Sequence, residues 1–214
     1  MRTRQNTLYL LTSMQTYSHF LVTAALYRVV PSARQLSRKA VYWGSIGPDL
    51  ALLSLSVGSF VYFRVFEGMQ GREIFRHIYG TLFFTDPYWI LLQNTLQAPI
   101  LLVGALAFLW RRYGRHVVAS AGFALCLSCL FHATLDILTH HNDGPLVFFP
   151  FDWTTRFYSP ISYWDRNHYG DIFSSVEHAL DLVILLTFVL PYLFRRFFGT
   201  GRSSSETVST QEGS

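Results

Sequence analysis

Apolar residues in this chain come in long runs, separated by short basic connections or longer aromatic-polar stretches, and runs of this length predict helices rather than strands. Residues 17–30 make the first run, short for a membrane span and stopped by Pro31. Residues 40–63 make the second, expected to be interrupted at Gly44, Gly47 and Pro48 just before Asp49. Such breaks are tolerated at membrane depth where the backbone lines a cavity or packs on protein. Residues 87–110 hold no charged side chain and are long enough to cross a hydrocarbon core of about 30 Å, with a kink expected at Pro99. A tight turn is expected over residues 111–116, and residues 117–139 return across the bilayer. The last run, residues 177–194, ends at Arg195 and Arg196.

The intervening segments read differently. Residues 64–86 mix Arg64, Glu67, Arg72, Glu73, Arg76 and His77 with aromatic residues, the pattern of an interfacial helix or lid. Residues 140–175 form a long polar and aromatic loop. Residues 1–15 read as a short interfacial lead-in, with no cleavable signal peptide expected. Residues 199–214 are rich in Ser, Thr and Gly and are expected to be disordered. The expected organisation is a helical membrane domain over residues 1–198 followed by that tail. Its fold class is all-α: a polytopic membrane helical bundle with four or five membrane-embedded helices and an interfacial segment.

Composition strengthens the membrane reading. The chain is 50% hydrophobic, 17% aromatic and only 14% charged, against about 25% charged in soluble domains. Its net charge of +4 comes almost wholly from arginine, clustered at Arg34, Arg38 and Lys39, at Arg111, Arg112 and Arg115, and at Arg195 and Arg196. If the helices alternate in direction, these short basic connections fall on one side, which the positive-inside rule makes cytoplasmic. Their placement resembles topology signals and headgroup contacts. No soluble module carries a basic stripe, so membrane lipids are the expected partners and nucleic acid is not. Cys126 and Cys129, one helical turn apart, are expected to pack between helices rather than bind metal.

Candidate chemistry centres on residues 131–143, FHATLDILTHHND. His132, Asp136 and His140 recur every four residues and so share one helix face. A carboxylate at the bilayer centre costs about 2.5–3.5 kcal/mol on insertion scales, so it needs a partner, a wet cavity or a metal. On the alternating threading, His19, Asp49 and His77, and Glu177, His178 and Asp181, gather toward the same membrane face. Imidazole and carboxylate without thiolate suit Zn, Mn or Fe. Paired ions of this kind activate water and stabilise a leaving oxygen. Structural readings stand beside these. His132 and Asp136 could simply lock helix packing, Asp49 could cap a half-helix, and His77 could touch headgroups. In the turn at residues 140–144, His140 has the better helix register than His141. Asp165 and Glu177 are the carboxylates that could orient a metal-bound water, and neither is assigned that role. His116 is expected at the opposite face, and His168 beside Asp165 in a solvated loop. Trp153, Tyr158, Tyr163, Trp164 and Tyr169 are expected to form an interfacial aromatic belt.

The order of short motifs carries a family likeness. Ser18-His19, Gly47-Pro48-Asp49, Arg76-His77, then His132, Asp136 and Thr139 as H-x3-D-x2-T, then P-I-S-Y-W-D over residues 160–165, together resemble the membrane-bound metal-dependent hydrolases. That family comprises LexA-regulated inner-membrane proteins distantly similar to the zinc-dependent phospholipase C and P1 nuclease group. The resemblance implies a divalent metal, zinc first with Mn or Fe as alternatives, held by His19, Asp49, His77, His132 and Asp136, with His140 or His141 as a sixth ligand. His178 would be the next, but the family's H-x3-E is not kept, because Leu182 follows four residues on and Asp181 three. Glu177 could substitute. The implied activity is hydrolysis of a phosphoester in a lipid or lipid-linked substrate, with the site on the outer face of a bacterial inner membrane. Two alternatives remain at this stage: a non-catalytic membrane scaffold or stress-response protein whose polar cluster is structural, and a haem protein with His132 and His178 as axial ligands.

Overall fold

The computed structural model of the chain describes residues 16–162 and 165–198. The expected lead-in at residues 1–15, the tail at residues 199–214, and Tyr163 and Trp164 of the aromatic belt lie outside the described residues. Among the described residues the chain is helical without a strand, apart from one isolated antiparallel bridge between Leu146 and Arg156.

Helix α1 (Thr16–Val29) ends at the 3-10 turn Pro31–Gln35, where proline fixes the turn's first residue. Helix α2 (Arg38–Val65) then runs 28 residues with Pro48 inside it. The expected interruption before Asp49 is therefore absent as a break, and Asp49 sits in mid-helix rather than capping one. Proline removes one backbone donor but does not end a helix whose neighbours hold it. The hold is visible one turn earlier. A Cβ on Gly44 would lie 2.6 Å from Ser128 Cβ and 2.7 Å from Leu125 O, so glycine is required for α2 to cross so close to helix α7 (Ala121–Thr139). Ser128 Oγ donates to Val41 O across that contact at 2.6 Å. Cys129 and Ala133 are fully buried nearby with Leu102, which bears out the packing role expected for the cysteine pair.

The segment expected to be interfacial folds as helix α3 (Gly71–His77), a π-helical turn (Ile78–Leu82) and helix α4 (Phe83–Thr85). Ile74, Ile78, Phe83 and Trp89 bury together against Leu52, Leu55, Phe60 and Phe63. The run expected as one kinked span is instead two helices, α5 (Pro87–Asn94) and α6 (Pro99–Tyr113), bent by 46° at the break. Two causes explain it, one local and one from the long loop. Residues preceding proline disfavour the helical conformation, and Ala98 is extended at φ −70, ψ 116. Asn94, itself buried, also bonds to the long loop, with Nδ2 donating to Ile90 O at 2.8 Å and Oδ1 accepting from Leu146 N at 2.8 Å. Gly114, at φ +56, ends α6. Helix α8 (Gly170–Ile184) continues through a π-helical turn (Leu185–Val189) into α9 (Leu190–Phe198), so the loop ends at Tyr169, six residues before the expected 175.

Helix α2 packs chiefly on α7, and also on α1 and α5. Helix α1 bridges α2 to α8, and α6 lies along α7. Three described helices are long and apolar enough to cross a membrane: Arg38–Val65, Ala121–Thr139 and Gly170–Phe194. The α5–α6 pair makes a fourth if counted as one broken span. Helix α1, with 14 residues, reaches only about 21 Å. Leu53, Val57 and Val61 are exposed on one face of α2, the pattern of a lipid-facing stripe. Hydroxyls on such surfaces are satisfied internally, as Ser54 donates to Leu50 O and Thr134 to Leu130 O, which removes unpaired donors from an apolar environment.

Candidate metal centre

Four side chains from three helices meet where the start of α1 and the C-terminal end of α7 converge on α2. The first turn of α1 supplies His19, the turn after Pro48 supplies Asp49, and α7 supplies His132 and Asp136 from one face. The two imidazoles stack with centroids 3.8 Å apart and planes 21° apart. Asp136 addresses them with separate oxygens: Oδ1 lies 3.1 Å from His19 Nε2 and Oδ2 lies 3.1 Å from His132 Nε2. Asp49 Oδ1 is 3.4 Å from the same His132 nitrogen. His19 and His132 are both 1% exposed and Asp136 is 4% exposed.

The orientation of His132 decides what this cluster needs. Its Nδ1 lies 2.8 Å from Ser45 O. A carbonyl only accepts, so Nδ1 donates and the ring is fixed. Its Nε2 then faces carboxylate oxygens on two sides without a hydrogen bond of acceptable geometry, and His19 Nδ1 and Asp49 Oδ2 are buried without partners as well. A lone pair pointed at anionic oxygens is stable only with a positive charge between them, either a proton or a cation. Ligand atoms of His19, Asp49 and His132 all lie within 4.8 Å of one another. Ligands at 2.0–2.2 Å around a tetrahedral ion are about 3.4 Å apart, so small movements bring the three onto one ion. The backbone acceptor behind His132 is the usual outer partner of a metal-bound imidazole. These residues fit a divalent metal ion.

The other expected residues fall in distinct places. His140, at the end of α7, is half-buried with Nδ1 3.9 Å from Asp136 Oδ1 and 2.9 Å from Asp136 O, beside the cluster but not in its three-ligand group. His77 packs edge-on against Phe63 at 4.9 Å, and the structure does not bring it to the group. His178 is exposed, with Nδ1 3.2 Å from the Tyr17 hydroxyl. The inward face of α8 instead carries Glu177 and Asp181, both buried, and Ser18 Oγ donates to Asp181 Oδ2 at 2.6 Å. Asp165 accepts at 2.8 Å from His168 Nδ1, and its carboxyl is held below the usual range by the Asn167 amide first and by His168 second. His168 stacks on His141 at 3.6 Å, and His141 Nδ1 donates to Ser159 O at 2.6 Å. This loop pair was not singled out as a unit by the sequence, since nothing in residues 141–168 reveals that the loop folds back on itself.

No protein-family model matches the chain, and no curated protein or solved structure matches it either.

Proposed function

We propose that the chain is a metal-dependent membrane hydrolase acting on a phosphoester of a lipid or lipid-linked substrate. The observation that carries this reading is the meeting of His19, Asp49 and His132, from three helices, around a point where buried acceptors face one another. His19, Asp49 and His132 would hold a divalent zinc, manganese or iron ion, which would supply Lewis-acid chemistry to a phosphoryl oxygen and a nearby water. The protein supplies the rest. Ser45 O holds the tautomer of His132, and Asp136 aligns both imidazoles. Asp49, the most exposed of the four at 20% of its side chain, is the member through which a substrate would reach the site. The order of motifs along the chain, and its likeness to the membrane-bound metal-dependent hydrolases, support the same reading, as does a site carried on helices of membrane-spanning length.

Elemental analysis of detergent-purified protein tests it, beside His132→Ala and Asp49→Asn variants that still fold. At least one equivalent of Zn, Mn or Fe, lost in both variants, is expected, together with release of phosphate or phosphoalcohol from short-chain phospholipids. Absence of metal after reconstitution with each ion would overturn the metal centre. Bound metal without turnover of any phosphoester would leave the centre standing and overturn the hydrolase.

A further inference from the structure

At the opposite end of the bundle, the structure places three arginines around an open cavity, with no acidic partner among the described residues. We propose that Arg28, Arg34 and Arg38 form a phosphate-binding site there, distinct from the metal centre and independent of the proposed reaction. The cavity measures about 600 Å³ and is lined by these three residues and Tyr27, a size that takes a phosphate-bearing headgroup.

The local fold builds it. Pro31 stops α1 and the 3-10 turn Pro31–Gln35 folds the chain back, so that Arg34 Nη2 donates to Arg28 O at 3.0 Å. Arg28 reaches across to the π-helical turn after α8, where Nη1 donates to Phe188 O at 2.7 Å. Its guanidinium also lies 5.8 Å and 5.9 Å from the ring centroids of Phe188 and Tyr192, within cation–π range. Tyr27 spends its hydroxyl proton on Leu36 O at 3.1 Å and serves as a wall. Two of the three guanidinium groups are thus pinned by backbone carbonyls. Each guanidinium has five N–H donors, so most of them remain available to a ligand.

Among the described residues no carboxylate pairs with these arginines. Asp49 is the first acidic residue of the chain, and among the described residues the one arginine–carboxylate pair is Arg166 with Asp171, in the distant loop. The first turn of α2 adds Arg38 and Lys39 with no acidic residue, and its N-cap Ser37 makes no side-chain capping bond. The positive end of the helix dipole therefore adds to the arginine field. Planar guanidinium forks match phosphate oxygens bidentately, and the positive-inside face is where anionic headgroups concentrate. The shared ligand chemistry is a phosphate group, from an anionic lipid headgroup or from free phosphate.

The test is calorimetric titration of the full chain in detergent with dihexanoylphosphatidylglycerol, dihexanoylphosphatidylcholine and inorganic phosphate. Saturable binding of phosphatidylglycerol or phosphate is expected, weakened about tenfold or more in Arg34→Gln/Arg38→Gln. Arg111→Gln/Arg112→Gln, which removes two arginines from the same end, is expected to leave it unchanged. Preference for phosphatidylglycerol over both other probes identifies a headgroup, and binding of inorganic phosphate alone identifies free phosphate. If the double variant does not fold, Arg38→Gln replaces it, since Arg38 makes no hydrogen bond or ion pair among the described residues that the substitution could break. No saturable binding of either anion, or equal weakening by the two double variants, overturns the proposal.

Discussion

The two ends of this bundle handle charge in opposite ways. At one end, imidazoles and carboxylates are packed together away from water, and their stability depends on a proton or cation shared among them. At the other, arginines stand in an open cavity with no carboxylate among the described residues, and water or an anion completes them. Between Asp86 and Asp136, and again from Asp181 to the end of α9, the chain contains no acidic residue. About 16 Å of helix rise separates Arg38 from Asp49 on α2 alone. Over the first half of α2, charge is therefore sorted by sign and by burial together. Desolvation makes the buried end intolerant of losing any one member, whereas the exposed end tolerates losses and shows them in ligand binding alone.

Substitutions can break this contrast at measurable cost. The largest effect is expected from His132→Ala, which strips the shared partner from both carboxylates. Loss of about 3–5 kcal/mol should appear in chemical denaturation, together with loss of bound metal. Gly44→Ala comes next, at about 1–3 kcal/mol from overpacking, because the new Cβ meets Ser128 and the Leu125 backbone. Since Ser45 follows directly, metal affinity should fall with thermal stability. Asn94→Ala should cost about 1–3 kcal/mol and raise hydrogen exchange at Leu146, leaving metal content intact. The smallest effect concerns Asp165. Its folded pKa lies below the unfolded 3.8, so its contribution is complete above that value and is lost as pH falls through the lowered one. Protection of the Asn167 amide relative to its intrinsic exchange rate should fall below about pH 4 in the native chain, and in Asp165→Ala it should already be low near neutrality. A flat profile in both would remove the Asp165 contact from the account.

Much of the site was readable from residue spacing, and the reasons for the remainder are specific. His132 and Asp136 share a face because four residues make about one turn, and any helix over that segment brings them together. Asp49 was placed by its apolar flanks, but its setting was misjudged. Proline predicts a break only when the helix lacks support, and Gly44 against Ser128 supplies that support from a residue eighty-odd positions away. The 94–99 break went the other way, because Asn94 bonds Leu146 in the distant loop. On α8 the spacing offered both His178 and Asp181. Which of them turns inward depends on helix rotation, set by Ser18 of α1. His77 likewise turned on tertiary packing, settling against Phe63. Local pattern carried the elements, and contacts between distant segments chose their faces.

Helix α1 is too short to span and gives His19 to a cluster whose other ligands come from α2 and α7. During synthesis, α1 and α2 emerge long before α7, so His19 and Asp49 enter the membrane region without the imidazole and carboxylate that later surround them. The cluster closes only when α7 inserts, and its closure fastens the N-terminal helix to the interior. Occupancy of the site would thus also mark finished assembly: a chain holding a cation there would be one in which α1, α2 and α7 have found one another.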